Sequence, residues 1–113
     1  MTDVLSSKVC TPCQGGIPPL TPLEANHYLA QTQDWKLLQG STRITRDYSF
    51  SDFKAAMDFV TEVGKLAEDE GHHPDISFGW GYATVSLQTK KIKGLHENDF
   101  IMAVKIDQCF ESN

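Results

Sequence analysis

Residues 51–89, SDFKAAMDFVTEVGKLAEDEGHHPDISFGWGYATVSLQT, hold the longest periodic segment of the chain and the change of period that follows it. Phe53, Met57, Val60, Val63 and Ala67 recur at three- and four-residue steps, which predicts an amphipathic helix. Ser51-Asp52 supplies an N-cap, and Gly71 stands where a left-handed residue ends such a helix. Pro74 then forces His72-His73 out of helical geometry. Beyond it, Ile76 to Phe78 and Tyr82 to Thr89 read as strands around a Gly79-Trp80-Gly81 turn. Ala83, Val85 and Leu87 face one way and Thr84, Ser86 and Gln88 the other, the alternation of an antiparallel strand covered on one face.

The flanking sequence repeats this logic. Upstream, Ile44, Tyr48 and Phe50 share one parity, interrupted by Arg46, and Trp35 to Leu38 precedes a turn at Gln39-Gly40-Ser41, so a hairpin is expected. Thr21-Pro22-Leu23-Glu24 has capping-box order with proline at the first helical position. Leu23, Tyr28 and Leu29 would give that helix its apolar face, with an end near Gln33. Downstream, Gly94 breaks the chain, and Glu97 to about Cys109 reads as a last helix carrying Phe100, Ile101, Val104 and Ile106. The expected fold class is α+β, in α-β-β-α-β-β-α order, with a four-stranded antiparallel sheet and helices packed on one face. Residues 1–20, dense in Ser, Gly and Pro and containing Cys10-x-x-Cys13, are expected to be an irregular N-terminal arm, and residues 21–113 the packed domain.

The chain of 113 residues has room for one domain. Hydrophobic residues are 40% and charged residues 22%, which excludes a disordered or fibrous chain. A net charge of −5 argues against a nucleic-acid-coating protein, which needs surplus basic charge against phosphates. No apolar run reaches the roughly 20 residues that cross a bilayer. Met1 to Lys8 is polar and lacks a signal-peptide layout. Three cysteines are too few and odd in number for a secreted disulfide framework. A cytoplasmic protein without a membrane or nucleic-acid partner is expected.

Chemistry-bearing side chains are densest from Glu68 to Asp99. For an arbitrary sequence, Glu68-Asp69-Glu70 before two histidines would be a solvated helix end. Here Pro74 pins the histidines, aromatic Phe78, Trp80 and Tyr82 follow, and Thr89-Lys90-Lys91 closes the strand. Histidine is also the side chain best suited to moving protons near neutral pH.

Glu68-x-x-x-His72-His73-Pro74, followed by Trp80, Thr89, Gly94-Leu95 and Asp99, resembles the pterin-4a-carbinolamine dehydratase family, and the likeness runs from Leu20 to Asp107. The resemblance implies dehydration of the 4a-hydroxytetrahydropterin left by aromatic amino-acid hydroxylases, giving quinonoid dihydropterin and water. It implies neither metal nor organic cofactor, a homodimer or homotetramer, and an aromatic amino-acid hydroxylase as the metabolic partner. By the same resemblance His72, His73 and Asp99 are catalytic and Glu68 supports them; Pro74 is read as a further support, Thr89 as a substrate contact, and Trp80 or Phe78 as the cover of the flat pterin, with core packing the better role for Phe78.

The chemistry suits those residue types. A proton must reach the departing 4a-hydroxyl while N5 loses one, and a charged and a neutral imidazole together can do both. One position departs from the family pattern: Lys90 stands where a third histidine is usual. Lysine keeps a positive donor but not a neutral imidazole's readiness to accept a proton near pH 7, so reduced activity is expected, with Lys90 still a site residue. His96 takes the place of a helix-capping threonine and is read as a substitute cap. Cys10-x-x-Cys13 is half a zinc site without a second pair, and is expected to be a dispensable dithiol outside the packed region. Lys90-Lys91-x-Lys93 reads as a solvated strand end. The rival to an enzyme is a dehydratase-like module that binds or assembles a protein partner.

Overall fold

The computed structural model describes residues 5–11, 17–38 and 40–112. Its elements are α1 (Pro22–Leu29), β1 (Lys36–Leu38), β2 (Arg43–Ser49), α2 (Phe53–Glu70), β3 (Asp75–Gly79), β4 (Tyr82–Leu87) and α3 (Glu97–Glu111), with 3-10 turns at Leu5–Ser7 and Lys90–Ile92. The strands form an antiparallel sheet in the order β1-β2-β4-β3. Element order and fold class are those expected from the sequence.

The core lies between the sheet and the helices. Ile44, Tyr48, Ala83, Val85 and Leu87 meet Phe59, Val63, Phe100 and Ile106, all at most 1% exposed. On the opposite face the register aligns Asp47 with Thr84 and Thr45 with Ser86, and Arg43 spans that face to reach Asp75, Ser86 and Gln88. The open side of the sheet is therefore hydroxyl-rich and charged.

Helix periodicity was legible, but the buried face of α2 is rotated from the expected one. Phe53 and Met57 are 44% and 42% exposed, whereas Ala56, Phe59, Val63 and Ala67 are buried. In α1 the capping box forms, but Leu23 is 82% exposed and Ala25 fills the core. That helix stops at Leu29, and Tyr28 stacks on Phe100. Arg46, which broke the parity of β2, faces inward to Asp107 on α3 at 2.6 Å; Asp107 also accepts from Tyr48 Oη and Trp35 Nε1. Burial, and then the Asp107 hydrogen bond, push the Tyr48 hydroxyl well above its ordinary range, so it stays a donor.

The N-terminal arm departs from expectation. Residues 8–11 have no regular structure, but Leu5 is 4% exposed within the core cluster, and Leu20 N–H donates to Leu95 O. Apolar burial of Leu5 explains the docking. Cys13 lies outside the described residues. Among those described, no helix is long and apolar enough to cross a membrane.

Candidate active site

Two chain reversals build the site. Gly71 ends α2 in the left-handed region at φ 65°, where a side chain would strain the backbone, and its N–H donates to Ala67 O. His72, His73 and Pro74 follow as a short link into β3. The second reversal runs from the end of β4 to α3. Thr89 pairs with Gly94 in an isolated bridge, and Lys90–Ile92 forms a 3-10 turn closed by Lys93 at φ 52°. Lys90 thus sits on a turn beyond the strand, because β4 stops at Leu87.

His96 caps α3 as expected: its Nδ1 accepts from Asn98 N–H at 3.0 Å. Asp99, in the first turn of that helix, is fully buried. One carboxylate oxygen lies 2.7 Å from His72 Nε2; the other accepts from Thr89 Oγ1 at 2.8 Å and His96 N–H at 3.0 Å. The helix N-terminus also favours a negative group there. A carboxylate only accepts, so His72 Nε2 carries the hydrogen and Nδ1 is the ring nitrogen left over.

His73 repeats this arrangement in the open. Its Nε2 lies 2.5 Å from Glu68 Oε2, with side chains 59% and 78% exposed, against 11% for His72. His72, His73, Thr89 and Lys90 line one open cleft of about 440 Å³, together with Gln88 and Thr11. Lys90 Nζ is 3.7 Å from Asp75 Oδ1 and 71% exposed.

Trp80 is not part of this cleft. It lies at the far end of the β3–β4 hairpin and is 71% exposed. Trp80 lies five positions from Asp75, roughly 16 Å along an extended strand. Closeness in sequence put Trp80 beside the histidines; within one chain the hairpin puts its turn opposite its ends. Thr11, Gln88 and Asn98 were missed, since no periodicity or motif points to them. Among the described residues, no cluster of three or more His, Cys, Asp or Glu could hold a metal ion.

The sequence model of the family described as "Pterin 4 alpha carbinolamine dehydratase" matches residues 18–109. The chain belongs to that family. Curated relatives of this dehydratase family include two with the name "Putative pterin-4-alpha-carbinolamine dehydratase". The protein of Azoarcus sp. (strain BH72) is 63% identical over 96% of this chain and 92% of its own. That of Aromatoleum aromaticum is 59% identical over 95% and 96%. A crystal structure described as a transcriptional coactivator/pterin dehydratase from Brucella melitensis superposes with a TM-score of 0.76, at 32% identity, covering 80% of this chain and 97% of that one. A pterin dehydratase-like protein described as a RuBisCO assembly factor in the α-carboxysome shares the fold, at a TM-score of 0.59 and 21% identity, over 67% of this chain and 88% of that one.

Proposed function

We propose that this protein dehydrates 4a-hydroxytetrahydropterins to quinonoid dihydropterin and water, recycling the pterin of aromatic amino-acid hydroxylases. The observation that carries the reading is the paired orientation of the imidazoles. Each ring spends Nε2 on a carboxylate, Asp99 or Glu68, and both residues line the same cleft.

In the reaction the C4a–O bond breaks and a proton joins the departing hydroxyl to make water. N5 releases its proton, and the electrons of that N–H bond become the C4a=N5 double bond. One proton is taken up and one given back, so no electrons pass to the protein. His72, fixed by buried Asp99, takes the N5 proton at Nδ1. His73, in its charged form, supplies the departing oxygen, and the Lys90 ammonium holds an electron-rich oxygen of the substrate. Glu68 orients His73, Pro74 fixes the link that carries both rings, and Thr89 holds Asp99.

Lys90 favours a second reading, a module that binds a protein partner, because it replaces an imidazole by an exposed ammonium. Rates on freshly generated 4a-carbinolamine separate the two. The enzyme reading expects acceleration over the uncatalysed dehydration that His72→Ala abolishes. Failure of both the natural protein and Lys90→His to bind pterin or accelerate the reaction leaves the module. The same reading expects a cytoplasmic homodimer or homotetramer; a monomer by light scattering at micromolar concentration contradicts that assembly.

A further inference from the structure

The N-terminal strap ends beside the histidines, and several side chains hold it there. After buried Leu5, Lys8 Nζ pairs with Glu97 at 2.7 Å, and Cys10 N–H donates to Glu70 Oε1 at 2.8 Å. Thr11 then exchanges two hydrogen bonds with Asn98. Thr11 N–H donates to Asn98 Oδ1 at 3.0 Å, and Asn98 Nδ2 donates to Thr11 O at 2.6 Å. A carboxamide can give and accept on one residue's backbone at once, which a carboxylate cannot. Asn98 is 2% exposed and immediately precedes Asp99, so one turn of α3 grips both the strap and the carboxylate beneath His72.

Glu70 makes the second attachment, two residues before His72. Burial works against its charge, but the Cys10 N–H and Lys105 Nζ, the latter at 2.7 Å, outweigh it and hold the carboxyl below its usual range. The strap is thus tied to both helices that carry the imidazole–carboxylate pair. Among the described residues, the Thr11 hydroxyl has no hydrogen-bond partner, and Thr11 lines the same cleft as His72, His73 and Lys90.

We propose that residues 5–11 form a fixed wall of the catalytic cleft, in which Thr11 contacts the polar edge of the pterin and Asn98 is its positioning residue. The inference rests on the dehydratase reading. A flat heterocycle bordered by N–H and C=O groups suits a hydroxyl that can both donate and accept.

Thr11→Trp in the full chain tests it, since position 11 is exposed and the indole would fill the cleft without disturbing the core. Dihydrobiopterin affinity should fall about tenfold or more, the scale of one lost hydrogen bond, with the melting temperature unchanged. Asn98→Ala should also raise KM more than it lowers kcat. Unaltered dihydrobiopterin affinity in a folded Thr11→Trp protein overturns the wall, whatever Asn98→Ala does. If the natural protein neither binds dihydrobiopterin nor turns over carbinolamine, the dehydratase reading is what fails. NMR then judges the placement: the introduced indole should shift the ring-proton signals of His72 or His73, and unmoved signals refute the wall.

Discussion

Asp99→Asn isolates what the buried carboxylate does for His72. Asp99 accepts hydrogen bonds from His72 Nε2, Thr89 Oγ1 and His96 N–H. An asparagine must turn its NH2 toward one side. Facing it to His96 N–H would oppose that fixed backbone donor in a buried place, at a cost of about 1–3 kcal/mol. Facing it to His72 only requires the ring to change tautomer, so the amide takes that orientation. His72 Nε2 then accepts, Nδ1 carries the hydrogen, and the nitrogen left for the cleft can no longer take a proton. Loss of a general base costs about 10²–10⁴-fold, and the equivalent tautomer trap in a serine-protease triad lies at the upper end, about 10⁴. We expect turnover on fresh carbinolamine to fall within that range, dihydrobiopterin affinity to change little, and ¹⁵N NMR to show the reversed His72 tautomer. Turnover equal to that of the natural protein, or a His72 ring still protonated at Nε2, would refute the reasoning.

Alanine at His72 should cost more turnover than alanine at His73, because His72 is 11% exposed and held by a buried carboxylate while His73 is 59% exposed; equal losses with unfolding would return both rings to a structural role. Lys90→His should raise turnover at pH 7, and since the Asp75 pair is exposed at 3.7 Å, stability by chemical denaturation should change by no more than about 0.5 kcal/mol. Asp107→Ala leaves Arg46 with the exposed Asp34 at 3.5 Å and removes the acceptor of Tyr48 and Trp35, so urea unfolding should show a loss of about 3 kcal/mol. Burial, and then Glu70, push the Cys10 thiol up to about 12, so iodoacetamide labelling of Cys10, read by peptide mass, should stay slow through pH 8 and rise only toward that value; rapid labelling at pH 8 contradicts this.

The element order was legible because it rests on local signals. The three-to-four-residue period of α2, the Gly71 stop and the alternation of Ala83, Val85 and Leu87 each act within a few residues of chain. The proposed proton carriers were legible through the Glu68-x-x-x-His72-His73-Pro74 pattern, where the Glu68–His73 contact spans five positions. Other features depended on distant partners. Arg46 looked like an interruption until Asp107, 61 positions away, came to meet it. The face that α2 buries depended on how the helix settles on the sheet, which periodicity alone leaves free by a fraction of a turn. The strap looked like a loose arm because its holding partners lie 60 positions away in α2 and 87 to 89 positions away in α3. Trp80 seemed close to the histidines in the chain, but the hairpin carried it to the opposite end. The sequence by itself determined the elements, their order and the candidate proton carriers, because backbone propensity and motif spacing are local. Only the tertiary structure decided which carboxylate orients which ring and what walls the cleft, because those contacts join residues that meet only once the sheet and helices are packed.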